Sequence, residues 1–374
     1  MERELASNAE CTIIPGTYTE RNYGIDLLRL VAMFMVVVLH VLGNGGVLSS
    51  ASGINYSVSM FLKICTYCAV DCYAIISGFV CYSDKESRYK YSKFINFWVQ
   101  VFTYSFGITL IAFLLRPKSI GLYNLVATAV PVASGQYWYV SAYAGLFFII
   151  PWLNKMIFAC TRKECTQLAV VLVAVYVLYA TAARVFSDCF TLELGYSFAW
   201  LTILYVVGAW MKKCDIPSRC KCRHLLIGIG CCVLFAEMKA LFLPENLADR
   251  VCSYTSIFTV YIAFALVSLF SKIKIGKTAK KMITCWAPAA FGVYLIHTQP
   301  IVWGHYIRGS FGWIAKYPVG LIPVMVLGSA FGVFAVCLFV EKSRLILFKV
   351  LKIDFLIGKV SNWTESWRIW ERLK

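Results

Sequence analysis

Arg21-Asn-Tyr-Gly-Ile-Asp-Leu-Leu-Arg-Leu-Val-Ala-Met-Phe-Met-Val-Val-Val-Leu-His-Val-Leu42 is the stretch that decides the fold class. After Arg29 its one ionisable side chain is His40, so no polar face recurs at the helical period and apolar material must surround the helix on every side. The run is also long enough to cross a bilayer, which takes about 20 residues. Comparable runs occupy Leu168–Ala183 and Ile257–Phe270. Over the 374 residues, 60% are hydrophobic and 15% charged, against about 45–50% and 25% in a soluble domain. The short alternating segments of an outer-membrane barrel are absent. The expected class is an all-α, polytopic membrane protein.

Hydropathy places about ten transmembrane helices near residues 24–47, 58–82, 94–115, 136–154, 166–183, 196–211, 224–243, 252–270, 283–303 and 319–341. A net charge of +17 in a soluble protein would suggest nucleic acid. In a membrane protein the excess belongs to cytoplasmic loops, and no nucleic-acid partner is expected. With both termini cytoplasmic, the outer side holds only Lys63, Arg116, Lys118, Arg184, Lys239, Arg250, Arg308 and Lys316 of the 36 Lys and Arg. The expected organisation is a polar N-terminal segment (1–22) without a cleavable signal, a membrane domain (23–342), and an amphipathic cytoplasmic tail (343–374) carrying Phe348, Phe355, Trp363, Trp367 and Trp370. The 16 Cys are scattered. Their one cluster, Cys214, Cys220 and Cys222 with His224, lacks the paired C-x2-C spacing of zinc sites, so no metal is expected.

Ionisable groups inside a membrane are costly and mark function by default. A rise of about 1.5 Å per residue puts His40 roughly 22 Å, Asp71 roughly 17 Å, Ser141 roughly 20 Å and His297 roughly 21 Å from the inner edge, one shared level. Arg29 and His40 lie eleven residues apart, on one face of the first helix and about 16 Å apart along it. A guanidinium near the inner surface suits a phosphate, and an imidazole above it suits removal of a hydroxyl proton. Each group also has an ordinary structural reading. His40 can bond a neighbouring helix, Arg29 can anchor at the interface with Asp26 as its i,i+3 partner, and Asp71 and His297 can pair with each other. Periodicity alone leaves transporter and enzyme both open.

Four segments carry a resemblance. Arg29 and His40, separated by ten residues, Val70-Asp71-Cys-Tyr-Ala-Ile-Ile-Ser-Gly-Phe79, Gln136-Tyr-Trp138-Tyr-Val-Ser141 through Pro151, and Phe291-Gly-Val-Tyr294-Leu-Ile-His297 occur in the order of the motifs of the membrane acyltransferase-three family, which the chain resembles from residue 21 to about 300. The resemblance implies ten helices and transfer of an acyl group, usually acetyl from cytosolic acetyl-CoA, to a hydroxyl of an extracytoplasmic sugar or cell-surface glycan. It implies an enzyme of the plasma membrane, with acyl-CoA, a carbohydrate acceptor and the bilayer as partners. Carried over by motif, His40 is the essential histidine, either base or acyl carrier, with Arg29 and Asp71 beside it, while His297, Tyr294, Trp138 and Ser141 are binding candidates.

Two departures stand out. The family's basic loop has only Lys90 and Lys93 where arginines are usual, and Tyr143 and Ala144 stand where glutamates follow the fourth-helix motif. They keep a second reading in view, a non-catalytic exporter or flippase of a surface polysaccharide or lipid-linked glycan. The transfer reading requires a cavity open beside Arg29 and narrowing to His40, with Asp71 and His297 at its end, an outer opening near Trp138 and Ser141, and tyrosine or serine hydroxyls along it.

Overall fold

The computed structural model describes residues 21–83, 91–116, 120–183, 188, 190–242 and 253–366. Among these the chain is helix and turn, with no strand. Its main helices are α1 (Tyr23–Leu42), α2 (Gly53–Thr66), α3 (Ala69–Cys81), α4 (Tyr91–Leu115), α5 (Leu122–Ala129), α6 (Trp138–Ala159) and α7 (Arg162–Val173). They continue as α8 (Phe198–Lys213), α9 (Cys222–Phe242), α10 (Ile257–Phe270), α11 (Lys277–Trp286), α12 (Ala290–His297), α13 (Ile322–Val350) and α14 (Ile353–Ser366).

Among the described residues, six segments are long and apolar enough to cross a membrane: Tyr23–Ser50, Gly53–Cys81, Lys93–Leu115, Trp138–Ala159, Arg162–Ala182 and Val319–Val350. Each falls on an expected span. Of the other four, 224–243 falls on α9, and 196–211 and 252–270 fall on α8 and α10, of 16 and 14 residues. The span expected at 283–303 is not one helix. Pro288 sits in a 3-10 turn between α11 and α12, and after His297 the Gln299 side chain accepts the Ile301 and Val302 amides at 2.7 and 3.1 Å beside Pro300. A proline has no amide to donate to the helix ladder, and hydropathy averages over both breaks. The expected boundary at 342/343 lies inside α13. The chain turns at Lys352 (φ 54) into α14, which packs on α4.

α1 is the central post. Asn22 caps it by accepting the Ile25 amide at 3.1 Å, and Asp26 in its first turn suits the positive end of the helix dipole. It packs on α2, α3, α10, α12 and α13, and 67% of its apolar window is buried, against 22% for Lys93–Leu115. The turn after its C-terminal end is pinned by the Gly309 and Phe311 amides, which donate to Asn44 and Gly45 carbonyls at 2.9 and 2.8 Å.

The tightest crossing joins α3 to α8. A Cβ on Gly78 would lie 1.9 Å from the Tyr205 carbonyl oxygen, and one on Gly208 would lie 2.0 Å from that of Ile75, so each glycine admits the other helix's backbone. In lipid there is no hydrophobic gain from helix association, and such small-residue contacts supply the packing. Gly78→Ala or Gly208→Ala is expected to destabilise the fold by about 1–3 kcal/mol, the range for overpacking. Gly107→Ala, where a Cβ meets nothing within 4 Å, should leave thermal unfolding in detergent unchanged.

Candidate functional site

His40, in the last turn of α1, meets His297 at the end of α12. His40 Nδ1 and His297 Nε2 are 2.8 Å apart, and His297 Nδ1 is 2.5 Å from the Val293 carbonyl. A carbonyl only accepts, so His297 Nδ1 carries the proton. With both rings neutral, His297 Nε2 is then an acceptor and His40 Nδ1 its donor. That order leaves the lone pair on His40 Nε2, which has no donor among the described residues. The edge of the Trp303 ring system meets His40 at 90° with centroids 4.9 Å apart, which fixes the plane of the imidazole from another side.

His40 lines a cavity of about 30 Å³, room for about two waters at roughly 10–15 Å³ each. Met33 and Val36 share its wall with His40. With Arg29 they form the stripe 29, 33, 36, 40, one face of a helix. Facing it are Tyr73, Trp138, Tyr139, Tyr254, Phe291 and Tyr294. The Tyr73 hydroxyl donates to the Arg29 carbonyl at 2.6 Å, joining the cavity wall to the arginine's own turn. Arg29 Nη1 holds Asp26 Oδ1 at 2.7 Å, and Arg21 Nε holds the other oxygen at 2.6 Å. Two guanidiniums thus share one carboxylate, leaving local positive charge on a side chain that is one-third exposed.

The structure therefore brings His40 together with His297, Tyr294 and Trp138, and leaves Arg29 on the same face of α1 but outside the cavity lining, so the cavity does not open beside Arg29 as the sequence reading required. It does not bring Asp71 there. Asp71 is fully buried and its Oδ1 accepts the Trp200 indole N–H at 3.0 Å, which ties α3 to α8. The alternative pairing of Asp71 with His297 is thus replaced by one with Trp200, because Asp71 faces α8 while α12 packs against α1. Ser141 donates to the Val132 carbonyl at 3.1 Å and lies outside the cavity lining, as do Asp71 and His297. Lys93 is exposed at the start of α4, and Lys90 lies outside the described residues.

Several contributors escaped the sequence reading, Tyr139 and Phe291 among them although both lie inside quoted motifs. Tyr73 carries a usable signal, two residues after Asp71 inside a quoted motif. Trp200, Tyr254 and Trp303 carry none, since an aromatic residue in an apolar run reads as core. Among the described residues no set of His, Cys, Asp and Glu groups is arranged to hold a metal ion.

A family model described as "Acyltransferase domain" matches residues 22–341. No curated protein matches the chain, and no solved structure does.

Trp200→Phe strips the buried Asp71 carboxyl of its donor, and is expected to cost about 1–3 kcal/mol of stability. Asp71→Asn keeps an acceptor for the indole and should unfold closer to the wild-type temperature in the same detergent.

Proposed function

The chain belongs to the acyltransferase-three family of membrane proteins, and from that premise we propose that it moves an acyl group, acetyl in the first instance, from cytosolic acyl-CoA to a hydroxyl of an extracytoplasmic sugar or cell-surface glycan. The observation that carries this reading is the oriented imidazole pair. A general base must keep a lone pair aimed and unprotonated while a second group fixes its tautomer. His297, held by the Val293 carbonyl, does that for His40.

In this reading the thioester carbonyl comes up from the Arg29 end along the 29, 33, 36, 40 stripe. The acceptor hydroxyl enters on the side of Trp138 and Tyr254. His40 Nε2 takes the hydroxyl proton as the oxygen attacks the thioester carbon, and the thiolate leaves with the donor and recovers a proton. If His40 is instead the acyl carrier, the same lone pair attacks the thioester carbon first and expels the thiolate, and the acceptor hydroxyl then takes the acyl group from the imidazole, giving up its proton. Arg29, with Arg21, supplies positive charge for donor phosphates. Asp71 acts at one remove, by setting α3 and hence Tyr73 against α1.

The small cavity beside His40 supports a short acyl chain. It also favours chemistry over export, since a conduit for a glycan needs far more than about 30 Å³. The membrane concerned is the cell's plasma membrane.

Purified in detergent with acetyl-CoA and surface glycan from its own host, the wild type should label the glycan. His40→Ala should lose at least about 10²-fold, the lower end of a general base's contribution. His297→Ala should lower kcat with little change in KM for acetyl-CoA, because it releases the ring without removing it. Full labelling by His40→Ala would reject the assignment and favour the exporter reading.

A further inference from the structure

We propose that the cleft between the start of α7 and the turn following α8 binds a phosphate-bearing ligand. The cleft has a volume of about 360 Å³ and is lined by Arg162, Lys163, Thr166, Gln167, Cys214 and Arg219. That volume lies in the range of small-molecule sites, about 300–1,000 Å³, and the mechanism at His40 uses none of these residues.

Its charge is unbalanced. Among the described residues no carboxylate pairs with Arg162, Lys163 or Arg219. The acids nearest in sequence are committed elsewhere: Glu164 accepts the Thr161 amide at 2.7 Å, and Asp215 accepts the Ser218 hydroxyl at 2.5 Å. The cleft surface itself is almost wholly apolar and two guanidiniums and an ammonium belong to the residues that line it, a setting for an amphipathic anion whose phosphate oxygens the guanidinium fork matches two at a time.

The walls are held in place. Lys213 Nζ donates to the Ile157 and Phe158 carbonyls at 2.5 and 3.0 Å, fastening the end of α8 to the end of α6. The Trp210 indole N–H donates to Thr166 Oγ1 at 3.1 Å, fastening α8 to α7, and the buried Cys214 thiol sits 3.6 Å from the Arg162 carbonyl. The backbone of both walls is therefore fixed, and a ligand has to order only the exposed Arg162, Lys163 and Arg219 side chains.

The cleft opens at the same end of the bundle as Arg29. Cys220, next to Arg219, accepts Lys272 Nζ through its carbonyl at 2.5 Å, and the adjoining Ser271 carbonyl accepts the side-chain amide of Asn22, the cap of α1, at 2.9 Å. Two sources offer the required chemistry there: the nucleotide phosphates of a donor such as coenzyme A, and the headgroup of an anionic phospholipid. The binding does not depend on His40.

Full-length protein in neutral detergent is to be titrated with desulfo-coenzyme A and, separately, with phosphatidylglycerol against phosphatidylcholine, reading thermal stabilisation. At least one of the two anionic probes should stabilise the wild type in a salt-sensitive way. The double variant Arg162→Ala with Arg219→Ala should bind that probe about tenfold or more weakly, a loss of at least about 1.4 kcal/mol. Arg162→Lys with Arg219→Lys should bind between the two, and unfolding without ligand establishes that each variant is folded. The loss caused by Arg162→Ala with Arg219→Ala should be the same in an Arg29→Ala background, which separates this cleft from the donor path at Arg29. A response to desulfo-coenzyme A makes the cleft a donor nucleotide site, and one to phosphatidylglycerol makes it a lipid site. Equal stabilisation of wild type and the double alanine variant, or none of the wild type by either probe, overturns the proposal.

Discussion

Two imidazoles meet inside an apolar bundle, His297 fully buried and His40 half-buried at the cavity wall, and they bond to each other. An unpartnered polar group in a water-free interior costs several kcal/mol, so the contact between His40 and His297 constrains everything around it. It fixes α12 against α1. It also requires the chain to stop being a helix just after His297, so that the imidazole ends a half-helix instead of being carried past the level of His40. The Gln299 cap and Pro300 make that stop. Irregular backbone at membrane depth is tolerated where it is buried in protein or lines a cavity, and this break lies beside the cavity that His40 lines.

Packing elsewhere serves the same geometry. The glycine crossing of α3 and α8 lets their backbones touch, and the indole of Trp200 then reaches Asp71 across the gap. Together they set the position of α3, whose Tyr73 closes the cavity opposite α1 and returns a hydrogen bond to the Arg29 carbonyl. The cavity wall is largely aromatic: Tyr139 lies 6.1 Å from Tyr294 between ring centroids, and Trp138 lies 5.6 Å from Tyr139. Tyrosine and tryptophan suit such a wall because they fill volume like hydrocarbon and still offer a donor to a small polar guest.

Charge is treated differently where it is open and where it is enclosed. Near the start of α1, Asp26 neutralises only part of Arg21 and Arg29, and the arginine is left able to meet an anion. Deeper in the fold Glu341 is fully buried and fully occupied, accepting both Arg344 nitrogens, the Gln100 amide and the Tyr104 hydroxyl between 2.5 and 3.0 Å. Removing one partner from such a cluster leaves an uncompensated buried charge, which marks it as a structural lock between α4 and α13. The contrast separates ionic groups that hold the bundle from those left open to a ligand.

The amino-acid sequence by itself determined the class, the location of most helices and the register of α1. Spacing alone put Arg29 and His40 on one face, and Met33 and Val36 between them do share a cavity wall with His40. Periodicity carries that information because it is local. It could not choose neighbours: in a membrane every face of a helix is apolar, so hydropathy does not encode which helix lies beside which. That choice rests on glycine contacts and on single hydrogen bonds between residues far apart in the chain, 257 residues for His40 with His297 and 129 for Asp71 with Trp200. The sequence allowed a depth to be reckoned for Asp71 and His297 but no azimuth, so only the tertiary structure gave His297 to His40 and Asp71 to an indole. The cleft lined by Arg162 and Arg219 was likewise invisible, because its two walls are separate short stretches that read as loop charge until α6, α7 and α8 fasten them together.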